Sequence, residues 1–511
     1  MHSVTLLPLL LLPLVGSLVV LGVPAGLAKV VSLVTSLVTF AYAVALAIGF
    51  SPNGARFQYQ GSWTWIKAFG VHFALGVDGI AMVLLLMAAV LVPAVILASW
   101  NSFDSLSGTE SQDEDQRDPK MFFALILMLE TLMLGVFAAT DVFLFYVFFE
   151  AMLIPMYFII GLFGGPRRQY AAMKFFLYSL LGGLLMLAAV IGLYVTSGAN
   201  SFAFSDLVGR IPDNASQKWL FLGFFIAFAI KAPLVPFHTW LPDAGAEAPV
   251  GGAVLLVGVL DKVGTFGFLR YCLPLFPDAS RYFAPLVLVL SVIGVLYAAF
   301  LAMGQRDMKR LVAYTSVAHF GFIGLGIFAF TTQGGTGAVL YMVNHGLSTG
   351  ALFMVVGFLI VRGKSRLVGD YSGTARVTPR LGGMFLLAGL SALALPGMST
   401  FISEFLVLLG TFTRHKAFAI VATTGIILAA LYILLVYQRT MQGVVIDKVR
   451  GFGDLNVREL LAVGPLIALI IALGIYPKPL TDMINPAVRA TMSDVHKSDP
   501  VPVDARIGGV K

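Results

Sequence analysis

Apolar runs of 18 or more residues recur from one end of this chain to the other, each able to cross a hydrocarbon core of about 30 Å at about 1.5 Å per residue. The runs are long and do not alternate, so they predict helices and not barrel strands. They fall near 3–22, 28–48, 76–99, 121–138, 141–163, 174–196, 218–243, 249–273, 283–303, 310–330, 337–361, 382–412, 417–438 and 459–476. The expectation is an all-α integral membrane protein of about fourteen transmembrane helices. Composition agrees: 12% of residues are charged, where a soluble domain carries roughly 25%. No stretch between runs could hold a soluble catalytic domain, so any chemistry lies in the membrane or on a partner. The run at 3–22 has no Lys or Arg before it and spans its full length in apolar residues, and is read as a retained helix instead of a secretory signal.

The net charge of +7 could suggest nucleic acid, but the basic residues sit in short loops and report topology. One set of alternate loops holds Arg167, Arg168, Lys174, Arg306, Lys309 and Arg310, and later Arg362, Lys364, Arg366, Arg376, Arg380, Lys448 and Arg450. The other set holds far fewer, among them Arg56, Lys67, Arg210 and Lys218. The positive-inside rule then puts both termini outside. Trp63, Trp65, Trp100, Trp219 and Trp240 lie near span ends, as an interfacial belt would require. The acidic stretch 101–120, with Glu110, Asp113, Glu114, Asp115 and Asp118, reads as a solvated loop, and the polar tail 477–511 as a segment extended over the surface or against a partner. A single cysteine, Cys272, excludes a disulfide framework, an Fe–S cluster and a thiolate zinc site, and no nucleotide-binding motif is present.

Against this background the deep charges carry the information, because an ionisable group at mid-membrane costs at least about 2.5 kcal/mol. Lys231 follows the run 219–230 and so lies about 18 Å into its span. Lys262 is equally deep, Glu150 lies within 143–163, Glu130 within 121–138, and Glu404 follows Pro396-Gly397. Each could be half of a buried ion pair that fixes helix register, or a proton carrier. Lysine suits the second role: burial weakens its hold on a proton, a nearby carboxylate strengthens it, and arginine can do neither.

Two spans are broken. Lys231-Ala-Pro-Leu-Val-Pro236 and Leu395-Pro-Gly-Met-Ser-Thr400 each place proline in mid-membrane, where the released backbone groups must be buried in protein or face water. Matched breaks in two five-helix units point to a repeat-built transporter with ion sites at the breaks. The units are expected at 121–273 and 283–438, flanked by 1–120, the helix 459–476 and the tail 477–511. His319 and His345 lie deep between the two breaks and His238 just past the first, each readable as a relay or as a satisfied structural group.

These residues stand in recognisable motifs: Asp141-Val-Phe-Leu-Phe-Tyr-Val-Phe-Phe-Glu150, Lys231 through Glu247, Asp261-Lys262-Val-Gly-Thr, Ala313 through His319, and Asn344-His345-Gly-Leu. The chain resembles the antiporter-like subunits of respiratory complex I, a family that includes Mrp-type Na⁺/H⁺ antiporters, the alternative assignment. Glu404, where related subunits of the L and N types usually carry Lys, resembles the M type. The resemblance implies two inverted five-helix repeats and proton translocation coupled to NADH oxidation and quinone reduction on other subunits. It implies further that FMN, Fe–S clusters and quinone are held by partners, with no cofactor or metal on this chain. L- and N-type neighbours in a bacterial plasma membrane would be the partners. Within the site it implies that Glu150 pairs with Lys231, that Lys262 is the central carrier, and that His319 and His345 link it to Glu404. One departure is Gly245, where the family usually has His, so an inside water path must be built around His238 or Asp243.

Overall fold

The computed structural model describes residues 6–102, 118–211 and 214–500. The chain opens with the apolar pair α1 (Leu7–Gly22) and α2 (Ala25–Gly49). An antiparallel hairpin follows, β1 (Gln58–Ile66) and β2 (Val71–Val77), with Ser62 opposite Ala74 and Trp63 opposite Phe73. Helices then make up nearly everything else: α3 (Gly79–Ala98), α4 (Pro119–Ala138), α5 (Val142–Phe163) and α6 (Arg168–Ser197). Next come α7 (Asn214–Lys231), α8 (Trp240–Glu247), α9 (Val250–Leu275), α10 (Pro277–Met303), α11 (Met308–Phe328) and α12 (Thr332–Gly363). The chain finishes with α13 (Pro379–Ala392), α14 (Ser399–Arg414), α15 (Lys416–Met441), α16 (Val457–Ile475) and α17 (Lys478–Asp494).

Among the described residues, 11 of these helices are long and apolar enough to cross a membrane. Of the other expected spans, 3–22 is the 16-residue α1, whereas 218–243 and 382–412 each appear as two pieces around a break, α7 with α8 and α13 with α14. Short polar side chains start the helices where the amides need acceptors: Asp141 accepts from Phe143 and Leu144 at 2.9 and 3.0 Å, and Asp307 from Lys309 and Arg310 at 2.9 and 3.2 Å. Asn456 and Glu459 form a reciprocal capping box on α16.

Helices apolar on every side sit in the middle. α9 is wholly buried, and α3, α11 and α12 nearly so. The peripheral helices do the reverse of a soluble protein, pointing Leu177, Leu181 and Ile191 of α6 and Ile420 and Ile427 of α15 outward. Such a surface is stable only against lipid or protein.

Three expectations need correction. The chain is not purely helical, because 58–77 is too short and alternating for a span yet pairs as a hairpin, held by Trp63 on Phe73 and by Phe73 on Phe148. The tail is not extended over 478–494: Ile484, Ala487, Val488, Thr491 and Met492 recur at helical spacing and are buried as one stripe of α17. Trp240 is no interfacial anchor, being fully buried, in contrast to the exposed Trp63, Trp65 and Trp219. The acidic residues Glu110, Asp113, Glu114 and Asp115 lie outside the described residues.

Candidate functional site

The first break is built by its prolines. Pro233 and Pro236 lack the amide hydrogens that would extend α7, so its last carbonyls need other donors. The buried indole of Trp240 donates to the Ile230 carbonyl at 2.8 Å, and Leu234 N–H bonds back to Ala229 at 2.9 Å. Lys231 ends α7 at this point, 1% exposed. Its ammonium makes no hydrogen bond; it lies 4.7 Å from the centroid of the Phe149 ring, a cation–π contact. Glu150, one residue on, is within electrostatic range, but its carboxylate is laid against Gly183 of α6 so closely that a side chain at 183 would displace it.

Lys262 lies on α9 directly after a π turn at Leu256–Leu260. There Asp261 N–H bonds to Leu256 O at 3.2 Å, five residues back, which takes the Val257 carbonyl off the usual four-residue ladder. The Lys262 ammonium donates to that carbonyl and meets His345 Nδ1 at 2.6 Å. His345 belongs to α12, which presents Tyr341, Asn344, His345 and Ser348 at i, i+3, i+4 and i+7, one polar stripe in an apolar helix. The His319 ring of α11 stands edge-on to His345 at 5.1 Å and to Tyr341 at 5.7 Å. Tyr341 Oη then donates to Glu404 Oε2 at 2.9 Å.

The second break is satisfied by side chains. Thr400 Oγ1 donates to the Ser391 carbonyl, and Asn344 Nδ2 donates to Ser399 O at 2.7 Å and to Ser403 Oγ at 3.3 Å. The polar stripe of α12 therefore touches α9 through His345, and the second break and α14 through Asn344 and Tyr341. Lys262, His345, His319 and Glu404 are brought into a single buried line, all 4% exposed or less.

Glu150 and Lys231 lie together beside the first break, in electrostatic but not hydrogen-bonded contact. His238 does not join the line: it sits against Tyr297, ring centroids 5.4 Å apart. Asp243 is occupied by Lys174 and Arg310, each at 2.7 Å, in a clamp joining α6, α8 and α11. Gly245 packs toward Ala313 and Phe353. Glu130 is fully buried, and neither of its carboxylate oxygens has a hydrogen-bond partner.

Sequence reasoning passed over Tyr341, Asp261 and Gly183. The spacing of Tyr341 from His345, four residues on one helix, was an available signal. Asp261 stands beside Lys262 in the Asp-Lys-Val-Gly-Thr motif and is 0% exposed. Nothing in the sequence marks Gly183, whose role arises from the approach of α6 to α5.

A family model described as NADH:quinone oxidoreductase/Mrp antiporter, TM, matches residues 139–429. The chain is 49% identical to NADH-quinone oxidoreductase subunit M of Mycobacterium tuberculosis over 96% of its own length and 94% of the relative's. It is 38% identical to NADH-ubiquinone oxidoreductase chain 4 of Arabidopsis thaliana over 94% and 95%. Among solved structures it resembles a chain of respiratory complex I from Thermus thermophilus, with a TM-score of 0.87 at 32% identity, covering 96% of this chain and 100% of that one. A chain of the Mrp complex from Dietzia sp. shares the fold, with a TM-score of 0.80 at 21% identity, covering 95% and 52%. With the broken helices, the buried line and these likenesses together, the chain belongs to the subunit M, or chain 4, branch of the NADH:quinone oxidoreductase/Mrp antiporter membrane family.

Proposed function

We propose that this chain is a proton-translocating membrane subunit of an NADH:quinone oxidoreductase. Oxidation of NADH and reduction of quinone take place on other subunits, which hold the FMN and Fe–S clusters. Its neighbours are L- and N-type subunits in a bacterial plasma membrane, it crosses that membrane about fourteen times, and both termini lie outside. The repeats are the inverted units 121–273 and 283–438, each with its broken helix.

One observation carries the reading: the buried line from Lys262 through His345, His319 and Tyr341 to Glu404. Groups that can each hold or release a proton stand in sequence across the interior of a lipid-type protein, an expensive placement. Lys262 is the central carrier, His345 accepts from it through Nδ1, and Glu404 holds the proton before release outward. His319 stands edge-on to both His345 and Tyr341, and water completes the steps around it. Glu150 governs the charge on Lys231 at the other break. His238 lies beside the inward path and not on the line.

The test is proton pumping driven by NADH in vesicles holding the assembled complex. Lys262→Ala should lose most pumping, while NADH oxidation by an artificial acceptor that bypasses quinone persists. Full pumping by this variant would overturn the reading. Proton movement driven by a sodium gradient without NADH would favour the antiporter alternative.

A further inference from the structure

Asp261 is the ionisable group of the site's centre that the line above leaves unused. It is 0% exposed, and neither of its carboxylate oxygens has a hydrogen-bond partner. A buried carboxylate left that way is costly unless charges nearby compensate it. Two lie within electrostatic reach: Lys262, its neighbour in sequence, and Lys231 across the interface.

The backbone explains why it reaches both. Gly264, three residues on and on the same face of α9, packs against the Phe228 carbonyl and the Ala232 amide, so closely that no side chain fits between. This face of α9 is therefore pressed onto the end of α7, where Lys231 stands. The π turn precedes Asp261, Lys262 meets His345 on α12, and Asp261 shares the face on which Gly264 packs against α7. Lys231, for its part, is caught between partners: its ammonium makes no hydrogen bond and feels both Glu150 and Asp261.

We propose that Asp261 is a shared counter-ion that couples the two halves of the subunit, serving Lys262 in one state and Lys231 in the other. The proposal rests on the proton-translocating reading above. One carboxylate can compensate one buried ammonium at a time. When Lys262 passes its proton to His345 Nδ1, the lysine becomes a neutral amine and the histidine an imidazolium. Asp261 then has only Lys231 to pair with, and draws it off Glu150. When Lys262 regains a proton, Asp261 returns to it and Lys231 goes back to Glu150. Coupling of this kind is reciprocal, so the state of Glu150 also biases the proton on Lys262.

The experiment uses the assembled complex in vesicles and measures protons pumped per NADH, with NADH oxidation by an artificial acceptor as the measure of assembly. Asp261→Asn keeps the volume and removes the charge, and is expected to lose most pumping with assembly intact. Asp261→Glu is expected to restore a substantial part, which a packing role would not allow. The pairing with Lys231 is read in a double variant: Asp261→Asn with Lys231→Ala should lose less than the two single losses combined, and strictly additive losses would mean that the two residues do not interact. Full pumping in Asp261→Asn, or equal loss in Asp261→Asn and Asp261→Glu, overturns the proposal. If Lys262→Ala in the same vesicles loses pumping while Asp261→Asn does not, the shared counter-ion alone fails. If neither variant loses pumping, the translocating reading itself fails.

Discussion

Glu404 shares a buried hydrogen bond with Tyr341 and sits where α14 begins after its break. A group that stores and releases a proton must exist in both neutral and charged forms, which glutamine cannot do and lysine can. Glu404→Gln should therefore lose most NADH-driven pumping, and Glu404→Lys should retain a substantial part. Full pumping in the glutamine variant would leave Glu404 a packing residue. Tyr341→Phe removes only the hydroxyl between His319 and Glu404, and should slow pumping without loss of assembly; an unchanged rate would route the line elsewhere. At Gly183 the smallest possible side chain acts on a different residue. Gly183→Ala would push the flexible end of Glu150 aside, so the expected result is normal assembly with weakened pumping.

Among the elements, the two breaks are held by different means. The first depends on one indole: Trp240→Phe keeps the ring but leaves the Ile230 carbonyl without its donor, a cost of about 1–3 kcal/mol. A lower melting temperature of the detergent-solubilised complex would register it, and no change would mean another donor takes over. α13, which leads into the second break, is started by a loop carboxylate. Asp454 accepts from Arg380 N–H at 2.9 Å and Leu381 N–H at 3.0 Å, both in the first turn. Partial burial would raise its pKa, but those amides, that of Leu455 and the Arg380 charge outweigh it and hold the carboxyl below its ordinary value. A depressed carboxyl stabilises the fold above its unfolded pKa, about 3.9, and that contribution is lost as pH falls through the folded value. Protection of the Arg380 and Leu381 amides, measured against their intrinsic exchange at each pH, should therefore fall below about pH 4, and at neutral pH in Asp454→Ala. Protection unchanged in the alanine variant would mean the cap contributes nothing.

For the whole molecule, the positive-inside argument puts the loop after α15 on one side of the membrane and α17 on the other. Single cysteines at the exposed positions Gly451 and Ser493 should label from opposite faces. Labelling from the same face would mean an odd error in the number of crossings. The basic loop residues have a second job besides orientation. Lys174 and Arg310 clamp Asp243, Arg366 pairs with Glu247 and Asp307, and Arg362 grips Glu459 through two bonds of 3.0 and 2.6 Å. Together they tie helices of the two proposed repeats across one end of the bundle.

The apolar runs, the deep Glu150, Lys231, Lys262 and Glu404, and the two proline breaks could all be read along the chain. Span length, the cost of a buried charge and the missing proline amide are local properties that need no partner. Even there only single residues were legible: that His345 meets Lys262 and His319 stands against Tyr341 follows from α12 lying between α9 and α14. Which faces meet is settled by packing and not by any one segment. It turned 58–77 into a hairpin, laid α17 down as a buried stripe, and took Trp240 from the membrane surface into the first break. It also put the Tyr341 hydroxyl on Glu404, the Gly183 backbone under Glu150, and Asp261 within electrostatic reach of two lysines that are 31 positions apart in the chain, 231 and 262. None of these is a property of a segment, because each depends on how closely and at what rotation two helices pack.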